Sequence, residues 1–298
     1  MATLSGPSGD PPTLPYTFLG LDGPLHAYEQ ASVVVLPVPY DATTSYKAGA
    51  REGPEAIISA SRELEDYDTE LGCEPSSVGI YTALPLEPHL GSPEAMVDRV
   101  ARAVETLARA DKLPVVLGGD HSVTIGAISA LAPLHLDLSV LYLDAHADFR
   151  DDYLGTRWGH ASAARRVSEI CPVTLVGVRS MSQEEAGTLR SSDKVQLFPY
   201  AGQLTDETCD AVADSLSGPV YVSVDLDVLD PSLMAAVGTP EPGGLGWYPL
   251  LRLLRLVAER HPIVGFDVVE LAPREGPPSC AYMAAKLVYK LIGYSRGV

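Results

Sequence analysis

The chain has 298 residues, 46% of them hydrophobic, which is apolar material for one large α/β domain or two small ones. Its 39 acidic and 21 basic residues leave a formal net charge of −18, which argues against a partner rich in phosphate, so no nucleic acid is expected, and suits a cationic substrate steered into an acidic cleft. Four cysteines without a C-x-x-C pair, no Lys or Arg before Lys47 and no apolar run approaching the roughly 20 residues of a membrane span predict a cytoplasmic protein with reduced thiols and no membrane contact.

Residues 1–15, rich in Pro, Gly and Ser, read as a flexible tail before a single domain over 16–298. Short apolar runs follow at 33–36, 115–117, 138–143, 173–178, 195–198, 220–224 and 263–269. They are rich in β-branched residues and apolar on both faces, as buried parallel strands are. Between them the spacing predicts helices, most clearly over 93–112, where Met96, Val97, Val100, Val104 and Leu107 form one stripe behind Pro93. Helices are also predicted over 247–260 and 282–294. This alternation predicts a three-layer α/β/α domain around a mostly parallel sheet of about eight strands, with ligands beyond the carboxyl ends of the strands.

The unusual polar residues fall at those ends. Leu117 leads into Gly-Gly-Asp-His-Ser (118–122), Leu143 into Asp-Ala-His-Ala-Asp (144–148), Val224 into Asp225-Leu226-Asp227, and a fourth strand delivers Glu270. In extended chain Asp144, His146 and Asp148 would point one way, and Asp225 and Asp227 likewise. With His121, four carboxylates and two imidazoles would share one place. They cannot all be charged there without balancing positive charge, and two divalent cations balance it directly. Mixed carboxylate and imidazole ligands without thiolate favour a metal such as manganese, and a metal pair can hold a hydroxide nucleophile at neutral pH. Each motif alone has an ordinary reading: a lone D-x-D is usually a turn, and a lone His is usually structural. Their recurrence at separate strand ends is what points to a metal centre. The glycines at 118–119 lack P-loop spacing, and no G-x-S-x-G elbow is present.

These motifs, with Ser-Val-Asp-Leu-Asp-Val-Leu-Asp-Pro (223–231), Gly-Thr-Pro-Glu-Pro-Gly-Gly (238–244) and Phe-Asp-Val-Val-Glu (266–270), resemble the ureohydrolases, the family of arginase and agmatinase, from about residue 33 to the C-terminus. The resemblance implies the arginase/deacetylase-like fold and a ureohydrolase catalytic domain over 16–298. It implies two Mn2+ per chain, one bound by His121 and Asp148, the other by His146 and Asp227, with Asp144 and Asp225 bridging. It further implies that Glu270 pairs with the substrate guanidinium and that His160 handles protons. Asp148, His160 and Glu270 are thus the expected catalytic residues, with His160, Glu270, Thr239 and Asp151 expected at the substrate.

The loop at 149–158 is acidic at Asp151 and Asp152 and lacks the Asn and Ser with which arginases receive an α-carboxylate, so it is similar to the agmatinase branch. Ala161 and the stretch 272–276 depart from many relatives at the expected pocket rim. The implied reaction is hydrolysis of a guanidinium C–N bond, agmatine giving urea and putrescine. The alternatives are a spermidine-forming N1-aminopropylagmatine ureohydrolase or another guanidino-compound hydrolase, with an arginase, a one-metal zinc deacetylase and a non-catalytic relative behind them. Family resemblance implies a homotrimer or homohexamer.

Overall fold

The computed structural model describes residues 14–298, so the expected tail at 1–15 lies outside the described residues except for Leu14 and Pro15. Eight strands pair in one wholly parallel sheet: β1 (Val33–Val38), β2 (Ile80–Thr82), β3 (Leu113–Gly118), β4 (Ser139–Leu143), β5 (Val173–Val176), β6 (Val195–Phe198), β7 (Val220–Asp225) and β8 (Ile263–Val269). Their order is β2-β1-β3-β8-β7-β4-β5-β6. Every residue of β1, β3, β4, β5 and β7 is buried, whereas β2 and β6 sit at the edges and are partly open. That explains their composition: a strand covered on both faces must be apolar at consecutive positions.

Helices cover both faces. Val33, Val35, Leu141, Leu143, Val222 and Val224 pack on α1 (Gly53–Ser61), α6 (Asp206–Ser215), α7 (Trp247–Arg260) and α8 (Ser279–Arg296). Val34, Leu36, Val116, Val140 and Tyr142 face α2 (Pro93–Arg109), α3 (Val123–Leu131), α4 (Ala163–Ile170) and Leu189 of α5 (Gln183–Ser191). The result is the expected three-layer α/β/α sandwich.

Helix ends show where sequence and structure differ. α2 starts as expected, with the Ser92 side chain accepting from Ala95 N at 3.2 Å. It stops at Arg109 rather than 112 because Asp111 takes φ 58° and turns the chain into β3. α8 runs longer than expected, from behind Pro277-Pro278 to a left-handed Gly297 cap. β2 was not among the predicted runs.

Candidate active site

β3, β4, β7 and β8 are consecutive in space, and their carboxyl ends carry His121, Asp144, Asp225 and Glu270. The expected alternation of an extended chain is not how they converge. Strand pairing stops at Leu143 and Asp225, and each motif then folds into a tight turn closed by its own carboxylate. His146 N donates to Asp144 Oδ1 at 2.6 Å, Asp227 N to Asp225 Oδ1 at 2.8 Å, and Ser122 N to Asp120 Oδ1 at 3.1 Å. A short carboxylate competes well for a backbone N–H two residues on, so D-x-D and D-x-H are turn formers as well as ligand pairs.

The six expected metal ligands come together. His121 Nδ1 lies 3.0 Å from Asp144 Oδ2, 3.2 Å from Asp225 Oδ2 and 3.5 Å from Asp148 Oδ2. His146 Nδ1 lies 2.9 Å from Asp227 Oδ2 and 3.5 Å from Asp144 Oδ1. Two compact donor groups result, His121–Asp144–Asp225 and Asp144–His146–Asp227, and they share Asp144. Asp148 reaches the cluster through a left-handed backbone at φ 49°, held by Tyr142, whose hydroxyl donates to Asp148 Oδ2 at 2.9 Å.

The protonation of His121 shows what the cluster needs. Ser223, Thr124 and Tyr221 each donate a hydroxyl hydrogen to Asp267, at 2.7, 2.8 and 2.9 Å. With its proton committed, Ser223 Oγ accepts from His121 Nε2–H at 2.8 Å. In neutral His121 the lone pair is therefore on Nδ1, which is buried without a hydrogen-bond partner, as is Asp144 Oδ2 opposite it. A lone pair aimed at carboxylates is a donor set for a cation. Without one, burial opposes charging His121, but Asp144 and Asp225 overcome it and lift its pKa well above the ordinary value. Burial, with repulsion from Asp144 and Asp227, pushes Asp225 well above the carboxylate range. The residues fit a pair of divalent ions.

Glu270 also has a left-handed backbone, at φ 65°; its N–H donates to Gly119 O, and its Oε1 accepts from His121 N, both at 2.8 Å. Burial and nearby Asp120 raise its pKa well above normal, so a cation alongside would restore its charge. Glu270, Asp148, Asp225, Asp227 and Glu185 line a cavity of about 290 Å³ together with His146, His160, Thr239, Tyr153 and Arg150.

Thr239, His160 and Ala161 lie in the cavity wall. The structure does not bring in Asp151. Its carboxylate pairs with buried Arg166 at 2.7 Å and Arg165 at 3.4 Å, and it faces a neighbouring depression with Asp152. The stretch 272–276 is likewise not part of the cavity wall. Sequence reasoning missed Asp267, Ser223, Glu185, Arg179 and the pair Thr43 and Ser45. An aspartate inside the apolar run 263–269 was the available signal for Asp267, since a buried charge demands partners. Arg179 and Thr43 gave none, because their roles depend on distant loops.

The arginase family model matches residues 31–293. The chain belongs to the arginase family. Within it this ureohydrolase is 43% identical over 269 residues to an N(1)-aminopropylagmatine ureohydrolase of Thermus thermophilus, covering 89% of this chain and 91% of the relative. It is 36% identical over 288 residues to an agmatinase of Pyrococcus horikoshii, covering 94% and 98%. The solved agmatine ureohydrolase of Thermoplasma volcanium superposes with a TM-score of 0.83 at 32% identity over 94% of each chain. The chain is thus a ureohydrolase of the agmatinase branch, a hydrolase of guanidino compounds with a binuclear metal site. No helix among the described residues is long and apolar enough to cross a membrane.

Proposed function

We propose that this ureohydrolase cleaves an amine-ended guanidine into urea and a polyamine, using two manganese ions per chain. The carrying observation is the cavity wall: with Asp148, Asp225 and Asp227 balanced by the ions, two further carboxylates, Glu185 and Glu270, remain against the single guanidinium of Arg150. Arg150 is already engaged, its guanidinium lying 4.8 Å over the Tyr153 ring and 3.9 Å from Glu185. A substrate ending in an amine meets attraction there, and one ending in a carboxylate meets repulsion. N1-aminopropylagmatine is the member favoured, supported by the name of the Thermus relative; agmatine, the sequence expectation, is the second reading, supported by that of the Pyrococcus relative.

In this reading His121 and Asp148 would hold one ion and His146 and Asp227 the other, and Asp144 and Asp225 would serve both. When bound, the ions supply charge balance and an acidified water. Glu270 orients the guanidinium, Asp148 orients the water, and His160 carries a proton to the departing amine. The same family reading has a homotrimer or homohexamer in the cytoplasm, which light scattering and fractionation check. The decisive assay is urea release with manganese, comparing kcat/KM for N1-aminopropylagmatine, agmatine, guanidinobutyrate and arginine. Both amines should exceed arginine and guanidinobutyrate; parity with arginine would remove the basis for the charge argument.

A further inference from the structure

His160 sits in a hydrogen-bonded chain that begins at a buried carboxylate outside the metal cluster. Asp120 is fully buried, and its Oδ1 accepts from Ser122 N and Ser122 Oγ. Its Oδ2 accepts from Thr43 N at 3.0 Å and from Thr43 Oγ1–H at 2.8 Å. Two loops make this possible. Asp41 Oδ2 accepts from Gly49 N at 2.8 Å and Arg51 N at 3.2 Å, shaping the turn that carries Thr43. Asp120 N donates to Tyr40 O at 2.7 Å, an approach so close that a Cβ on Gly119 would lie 1.9 Å from the same oxygen.

A threonine hydroxyl has one proton, and Thr43 gives it to Asp120 Oδ2, the nearer acceptor at 2.8 Å. Its oxygen then accepts twice from His160: from the backbone N–H at 3.0 Å and from Nδ1 at 3.3 Å. Nδ1 must therefore carry the ring hydrogen. The lone pair falls on Nε2, where Ser45 Oγ lies 3.2 Å away as donor at the cavity wall.

We infer that Asp120 and Thr43 are positioning residues for catalysis, fixing the Nδ1–H tautomer of His160 so that Nε2 faces the substrate as a proton carrier. The inference rests on the reading of His160 given above. In the step served, Nε2 takes a proton from the attacking water. It then gives that proton to the amine nitrogen, which leaves with the electron pair of the broken C–N bond. Burial holds the imidazole below its ordinary pKa against the pull of Asp120 and the Thr43 contact, with His121 and His146 adding to the lowering. A neutral ring in the other tautomer would present an N–H to the substrate and could not accept.

The test is a double-mutant cycle between Thr43→Val and His160→Asn, with Thr43→Ser as the conservative control. Thr43→Val should lower kcat at least ~10-fold, within the range of general acid–base contributions, with KM, metal content and melting temperature near wild type. Thr43→Ser should recover most of the loss. In the His160→Asn background Thr43→Val should cost nothing more. Additive losses, or a Thr43→Val enzyme with wild-type kcat, overturn the inference while leaving His160 in place. An unimpaired His160→Asn enzyme overturns the reading of His160 and the inference with it. Should Thr43→Val fold poorly, Thr43→Ala removes the same hydroxyl without added apolar bulk and enters the same cycle.

Discussion

Each oxygen of Asp144 faces a different imidazole, Oδ2 toward His121 and Oδ1 toward His146. Asp144→Asn keeps the size and removes the shared charge, so the bound metal should fall to half of the wild-type content or less, read by elemental analysis, and urea release should vanish with it. Glu270→Gln should behave differently. It touches backbone and cavity but joins neither donor group, so both metals should remain while kcat/KM falls by the equivalent of about 2–5 kcal/mol, the cost of leaving a desolvated charge unpaired. Unchanged kcat/KM would make Glu270 a structural residue. This cluster of side chains was legible because carboxylates and imidazoles recur at the ends of apolar runs. The tautomer of His121 was not, since it depends on Asp267, Ser223, Thr124 and Tyr221 meeting across two strands and a helix.

Elements hold the site through contacts the sequence conceals. The Arg179 guanidinium, beyond β5, donates to the carbonyls of Asp227 at 2.7 Å, Glu241 at 3.0 Å and Pro242 at 3.1 Å, joining the ligand turn to the Thr239 loop. A lysine ammonium cannot make that fork. Arg179→Lys should weaken manganese binding by about 10–100-fold, the usual scale for groups supporting a ligand, with unchanged far-UV circular dichroism. On the opposite face of the sheet from α2, α8 is pinned by Lys290, which donates to Asp68 at 2.8 Å and to Glu70 at 2.6 Å. Burial opposes the charge on Asp68, but Lys290 and Lys286 outweigh it and hold the pKa at about 2. Since that folded value is below the ordinary one near 3.9, the stabilisation is present above about pH 4 and lost as pH falls toward 2. Lys290→Met should lower the melting temperature at pH 7 and flatten its decline between pH 4 and 2. Most strands and the clearest helices followed from periodicity, whereas the order of the strands in the sheet did not. β2 escaped because three residues on a half-open edge, Ile80, Tyr81 and Thr82, carry too short a pattern to stand out from a loop.

At the scale of the molecule the formal charge of −18 acts on arrival rather than on chemistry. Exposed charges are screened over about 10 Å at 0.1 M salt, so kcat/KM for a polyamine-like guanidine should fall as sodium chloride rises, while kcat holds. The slope should be shallower for zwitterionic arginine, and equal slopes would show that the field does not steer. The sheet order has a different consequence, one of timing. β7 and β8 are the last strands in the chain, yet they lie between β3 and β4. A chain delivered only through β6 holds the strands of two half-sheets, β2-β1-β3 and β4-β5-β6, whose inner edges β3 and β4 would lack their partners. Only the arrival of residues 220–269 closes the gap, and the same segment brings Asp225 and Asp227, with Glu270 directly after it. Until then both edges are open templates for strands of other nascent chains. Synthesis arrested before β7 would therefore leave a sticky fragment without Asp225 and Asp227, arrest before β8 one without Glu270, and catalytic competence is among the last properties the growing polypeptide acquires.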